Sequence, residues 1–448
     1  MARQRWKNLT QRQVGIYNNW DCYATARLYG VLRDEMQRRG RPDYYTREVW
    51  PAVHAVIGMQ RRGLAVDTFE RDRVRNSLEM ELASTEATIR DAAGDINLNS
   101  PPQRARFLFE TLGLKRVKRT ETGKDSTDLE VLFRILRYLR KKDEHARPVL
   151  EAMFHRSRLN TLLTRYLSFR VLDGRVYPRI KFCGTKTERL AYSEPAMQQF
   201  PEEIRSMVIA APGCVLISAD YSQLEARILA VLSDDKASLA SFAAGEDIHT
   251  SNARDLFQDW DTMNDTQRKA ARNFAKTFLY GISYGGAAET IKTRLFCPCP
   301  RCADKAPPTL ELSRLDMQLV AQRWFARHSA LTRFRRELEQ QIRRFRYWDS
   351  PFGGRRFVFA PWSTAQREIY NYPMQNCAAR IVNRAMVKLH QHGAPIVLQM
   401  HDSLMLEVQA RAVDSWKSLL IEIMQATVPE LGTSFPVKVS AAERWSEL

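Results

Sequence analysis

A chain of 448 residues with 69 Lys and Arg against 51 Asp and Glu, a formal charge of +18 at pH 7, is too long for one simple core and calls for two or three subdomains. Positive charge spread along the whole length fits a polyanionic partner such as nucleic acid as well as it fits a solubilising surface. Seven cysteines are too few for a disulfide framework and point to a reducing, cytoplasmic setting. The start has no apolar h-region, and the longest apolar stretch, residues 207–219, is broken by Pro212 and Gly213, so neither a signal peptide nor a membrane span is expected.

In chain order, residues 50 to 170 read as long amphipathic helices, as in SLEMELASTEATIRDAA and EVLFRILRYL. Between those two lies KRVKRTETGKDSTD, a basic, turn-prone tip suited either to phosphate contact or simply to solvent. From 170 to 230 strand-like pieces take over, RVYPRIKF and then CVLISADYS, and the second runs at Asp220 into the helical pattern QLEARILAVLS. Helices return from about 235 to 345. Strands reappear at RRFVFA and PIVLQM before a helical C-terminal part. The order helical, mixed, helical, mixed fits an α+β platform interrupted by an inserted helical subdomain.

In QMHDSLMLEV, the neighbours His401, Asp402 and Ser403 cannot form a hydrolase triad, because consecutive residues on a strand or tight turn point apart. The stretch reads instead as a hairpin of strands 396–400 and 404–408 with Asp402 near its turn. If that hairpin lies beside the strand ending at Asp220, two carboxylates converge. Paired hard oxygen ligands suit magnesium shared with substrate phosphates, and two such ions roughly 4 Å apart can serve an in-line phosphoryl displacement. Taken singly, each aspartate fits a cap or a surface turn better than a metal ligand. In RNFAKTFLYGISYGG, Arg272, Lys276, Tyr280 and Tyr284 recur every four residues, a drift of only about 40° per step on a helix. Two cations followed by two rings on one face match a nucleoside triphosphate, although an ordinary amphipathic helix carries the same spacing.

The segments DYSQLEAR (Asp220 to Arg227), RNFAKTFLYGISYG (Arg272 to Gly285) and HDS (His401 to Ser403) resemble motifs A, B and C of family A DNA polymerases. TERLAYSEPAMQQFP, GEDIHT, PFGGRRFVFA and REIYNYPMQNCAARIVNRAM resemble further segments of that family in the family's order. Upstream, NLNSPPQRARFLFETLGL followed by TETGKDSTDLEVL resembles its thumb. The likeness extends over nearly the whole chain from about residue 46. It implies a right-hand α+β fold: an exonuclease-like remnant at 1–45, a helical thumb at 46–170, a palm at 171–235 and 346–448 built on an antiparallel sheet, and mostly helical fingers at 236–345.

By that resemblance Asp220 and Asp402, helped by the Tyr221 carbonyl, would hold two magnesium ions, with manganese a substitute. Arg272 and Lys276 would grip the triphosphate, Lys276 being placed to protonate the departing pyrophosphate. Gln223, Glu225 and His249 would line the nucleotide pocket, Glu225 against the sugar 2′ position. Tyr284 would stand at the template base-pair site. Arg189, Arg367, Asn371, Gln375 and His401 would touch the primer end or template, where minor-groove acceptors common to all correct pairs can be checked without reading sequence.

The implied function is template-directed DNA synthesis by a monomer on primer–template DNA with deoxynucleoside triphosphates, with no membrane involved. A weakly catalytic primer–template scaffold and a reverse transcriptase are the alternatives. Tyr280, where bacterial relatives usually carry phenylalanine, implies efficient dideoxynucleotide use. Ser403 replaces the family's usual glutamate after Asp402, with activity expected to survive. Tyr17 and Asp21 resemble the last exonuclease motif, but a lone Asp21 cannot assemble a two-metal nuclease, so no 3′ to 5′ exonuclease is expected and proofreading, if any, would need a separate protein. A processivity factor also remains open. Cys297, Cys299 and Cys302 could bind zinc, but no fourth ligand is evident.

Overall fold

Runs rich in β-branched and apolar residues favour extended chain in Cys214–Tyr221 and Ser403–Gln409. In the computed structural model, which describes residues 9–40, 43–120, 122–257, 259–283 and 314–448, the two pair antiparallel, with Ser403 opposite Asp220 and Gln409 opposite Cys214. Ile396–Met400 flanks the second strand and Val437–Ala442 the first, giving a four-stranded antiparallel sheet with Asp220 on one inner strand and Asp402 in the turn leading into the other. The hairpin matches the sequence expectation to within a residue or two.

Three expectations need correction. Val437–Ala442 is a strand, although the C-terminal part reads as helical. Its pattern is weak, and it is extended because it pairs along the edge of Cys214–Tyr221 that the hairpin leaves open. RVYPRIKF is two strands: Pro178 lacks an N–H and separates Arg175–Val176, which pairs with Leu64–Val66, from Arg179–Lys181, which pairs with Ala191–Ser193. RRFVFA is extended only over Arg355–Phe357.

Helices start where short acceptors allow. Asp67, Asp128 and Asp247 each accept the backbone N–H three residues on, at 2.9, 2.9 and 2.8 Å, contacts worth about 1 kcal/mol apiece. Helix Trp50–Arg62 stops at Gly63, whose positive φ and close approach to the Val176 carbonyl leave no room for a side chain. Helix Trp362–Gln391 packs behind the sheet, with Ala378, Val382 and Met386 in one cluster with Leu398, Leu404 and Leu406.

Buried apolar residues gather into three clusters among the described residues. The largest surrounds the sheet. A second joins Phe257, Trp260, Phe274 and Trp324, and a third joins Ile89, Leu108, Leu132 and Leu150. Helix Gln11–Arg38 buries none of its residues. The basic tip is partly neutralised: Arg116 meets Asp125 at 2.9 Å and Lys118 meets Glu130 at 2.7 Å. Cys297, Cys299 and Cys302 lie outside the described residues. Among those described, no helix is long and apolar enough to cross a membrane.

Candidate active site

The pairing of Cys214–Tyr221 with Ser403–Gln409 brings Asp220 and Asp402 to the same end of the sheet, and the Tyr221 N–H donates to the Asp402 carbonyl at 3.2 Å. Two left-handed residues expose this end. His401 at φ 51° turns the hairpin, and Gln223 at φ 56° turns the strand into helix Leu224–Ser233. The Gln399 amide donates to the His401 carbonyl at 2.6 Å, and the Ser403 hydroxyl donates to the Met400 carbonyl at 2.8 Å, so both side chains brace the turn. The serine is thereby committed to backbone, and His401, Asp402 and Ser403 form no relay.

Asp402 is strained electrostatically. Its Oδ1 is buried with no hydrogen-bond partner, and Arg189 Nη2 approaches it only to 3.8 Å. Burial pushes the carboxyl up to about 6, Glu225 and Asp220 push the same way, and Arg189 opposes them. Burial also raises Asp220, against His401 and Lys438. Burial lowers His401, with Arg189 adding to the effect. Arg189 spends its guanidinium chiefly on Glu225, with which it forms a close ion pair. The site is a knot of carboxylates with too little positive charge.

That shortage leaves a need that a cation could meet. An orphaned, buried carboxylate oxygen beside a second carboxylate is what a divalent ion would satisfy. No group of three or more His, Cys, Asp or Glu side chains clusters as metal ligands among the described residues, so the pair fits an ion whose remaining ligands come from backbone, water or substrate.

A second group lies beside the first. Helix Asp265–Ser283 carries Arg272, part-buried, and Lys276, exposed, one turn apart. The Arg272 guanidinium forks onto Asp247, Nε to Oδ1 at 2.8 Å and Nη2 to Oδ2 at 2.9 Å. Gln223 Nε2 donates to the same Oδ2 at 2.6 Å. Gln223, three residues past Asp220, thus joins the carboxylate end of the sheet to the cationic helix. His249, on helix Ile248–Leu256, is buried; burial pushes its imidazole down to about 4, Asp247 opposes, and Lys276 and Arg272 reinforce. It stays neutral at ordinary pH. The side chain of Tyr280 and the whole of Tyr284 lie outside the described residues.

Arg367, Asn371 and Gln375 sit at four-residue intervals along Trp362–Gln391. Arg367 is exposed, while Asn371 Oδ1 is buried and accepts no hydrogen bond. This helix reaches the site through Asn376 and Arg380, both of which donate to Glu188, the residue before Arg189. Tyr44 donates to Glu188 as well, at 3.1 Å. Sequence reasoning missed Asp247, Glu188, Arg380 and Tyr44. An acidic N-cap two residues before a singled-out histidine was a usable signal for Asp247; nothing local marks the other three.

Residues 70–447 match the sequence profile of DNA polymerase family A. The chain belongs to that family. Over 446 residues it is 30% identical to DNA polymerase I, thermostable, of Thermus aquaticus, an alignment covering 94% of this chain and 50% of the relative. It is 28% identical to DNA polymerase I of Geobacillus stearothermophilus over 426 residues, covering 89% and 45%. Among solved structures, the POL domain of Pol1 from M. smegmatis in complex with DNA primer–template and dNTP superposes with a TM-score of 0.79 at 25% identity, covering 93% of this chain and 73% of that one. This family A chain therefore spans about half the length of the curated relatives it matches.

Proposed function

We propose that the chain extends a DNA primer on a template, joining deoxynucleotides to the 3′ end with release of pyrophosphate. The observation that carries this reading is the pairing of Asp220 with Ser403, which sets two undercompensated carboxylates at one sheet end, Asp220 lying three residues before Gln223, whose amide shares Asp247 with Arg272. A mere clamp for nucleic acid gains nothing from buried acid groups next to phosphate. In this reading the large sheet cluster is the palm, the cluster around Phe257 and Trp324 the fingers, and the cluster around Leu108 and Leu150 the thumb.

Family A polymerases use divalent metals. Two magnesium ions, with manganese as a substitute, would be held by Asp220, Asp402 and the Tyr221 carbonyl. When bound, they supply activation of the primer hydroxyl and stabilisation of the departing pyrophosphate. The protein supplies position and charge. Arg272 and Lys276 take the triphosphate, and Lys276 is the proton donor to pyrophosphate. His249, neutral, and Gln223 line the nucleotide pocket, with Glu225 against the sugar. Arg189, His401, Arg367, Asn371 and Gln375 face primer and template. By the family resemblance Tyr284 would stand at the template base-pair position.

Primer extension on DNA and RNA templates, with and without chelator, tests the reading. Extension on DNA that the chelator abolishes is the expected result; a wild-type chain inert with both magnesium and manganese refutes it, and equal extension on RNA establishes the reverse-transcriptase alternative.

By the family resemblance the Tyr280 hydroxyl would replace the hydroxyl that a dideoxynucleotide lacks, so chain terminators should be used nearly as well as normal substrates. Tyr280→Phe should lower that use about tenfold or more, the worth of one hydrogen bond to a charged group. Band intensities in a terminator ladder read the ratio, and strong rejection of terminators by the wild type sinks the assignment.

A further inference from the structure

Asp247 accepts five hydrogen bonds. Its Oδ1 takes Arg272 Nε at 2.8 Å, the Thr250 N–H at 2.8 Å and the Thr250 hydroxyl at 2.9 Å, while Oδ2 takes Arg272 Nη2 at 2.9 Å and Gln223 Nε2 at 2.6 Å. Burial works against the charge, but the Arg272 and Thr250 donors outweigh it and hold the carboxyl well below the usual range. It is therefore an anion at every working pH. The two parallel arms from Arg272 are the same fork by which a guanidinium holds a phosphate. Asp247 thus occupies the Nε–Nη2 edge of the guanidinium, one of its two forks.

We propose that Asp247 is a placeholder for the nucleotide's phosphates: a positioning residue that holds Arg272 and Gln223 until a triphosphate takes its place. This rests on the reading of Arg272 as the phosphate grip. Nucleotide entry is then an anion exchange on the Nε–Nη2 edge of Arg272, whose charge Asp247 already offsets. A ligand must carry enough negative charge to win the exchange, which disfavours diphosphates and pyrophosphate relative to triphosphates. Because Gln223 lies three residues past Asp220, releasing it from Asp247 couples phosphate arrival to the carboxylate end of the sheet. Lys276, exposed one turn along, remains available to meet the ligand first.

The test is Asp247→Asn. Asparagine is as good an N-cap as aspartate, so helix Ile248–Leu256 keeps its start. Its single oxygen cannot accept both arms of Arg272, and its amide presents donors to donors. Steady-state extension on DNA should show KM for the nucleotide falling roughly five- to twentyfold with kcat changed by less than about twofold. Inhibition by inorganic tripolyphosphate and by pyrophosphate should tighten, pyrophosphate by the larger factor. In an Arg272→Ala background the same substitution should be silent, which a purely structural role would not predict.

An unchanged KM, or a raised one, overturns the proposal, the latter because Asp247 would then be preparing Arg272 for the nucleotide and not competing for it. A wild-type chain that neither extends primer nor is inhibited by tripolyphosphate overturns the polymerase reading itself and this inference with it. The two failures are thus told apart by the wild-type lane.

Discussion

An Asp402→Asn variant should be inert in primer extension yet more stable than the wild type when divalent cations are withheld. The reason is the sign of the shift at Asp402. Its carboxyl ordinarily titrates near 3.8 and is pushed up to about 6, first by burial and then by Glu225 and Asp220. Between those two values the folded chain binds more protons than the unfolded chain, so stability falls as pH rises through that window and stays low above it. About two units correspond to roughly 3 kcal/mol, a ceiling since the side chain retains some exposure. Asparagine carries no charge to bury and escapes that loss. Thermal melts in chelator should therefore place the variant above the wild type at pH 7.5 and bring the two together near pH 4. Adding magnesium should raise the wild type and leave the variant nearly unmoved. Activity should fall by at least about a thousandfold, as for removal of a principal group that stabilises transition-state charge. A wild type that melts above the variant in chelator at pH 7.5 would show that Asp402 is compensated by the protein alone.

Glu188→Ala should cost about 3–5 kcal/mol of folding stability, because it strips the counter-charge from Arg380, which is only 1% exposed. Arg380 forms its ion pair with Glu188, is close to Tyr44, and keeps Nε and Nη1 without hydrogen-bond partners. Removing the anion leaves a buried guanidinium with almost no compensation. Glu188→Ala/Arg380→Met, which removes both charges, should recover most of the loss. Denaturant midpoints of the four proteins measure the coupling, and additive losses would show that the pair does not act as a unit. Glu188 adopts φ +66°, a conformation that L side chains resist and that the three-way anchoring by Tyr44, Asn376 and Arg380 holds in place. Since Arg189 is the next residue, the double variant should regain stability without regaining full extension rate.

Both predictions turn on partners that lie far apart in the chain. Asp402 owes its raised carboxyl to burial and then to Glu225 and Asp220, and Glu188 pairs with Arg380 nearly two hundred residues on. The elements themselves were legible. The hairpin around Asp402, the strand that gives way to a helix just past Asp220 and the helix with Arg272 and Lys276 on one face all follow from period-two and period-3.6 patterns that depend on near neighbours. The final strand Val437–Ala442 and the break at Pro178 were harder: one owes its extension to an open sheet edge, the other divides between two different partners.

The kinds of groups at the site and their order along the chain are local facts: a carboxylate at a strand end, two cations a turn apart. Which charges meet is set by packing. It gave Arg272 to Asp247, Arg189 to Glu225 and Arg380 to Glu188, and left Asp402 short of a partner. Electrostatic energy depends on distance and on exclusion of water, and neither exists until the sheet and the helices around it have packed.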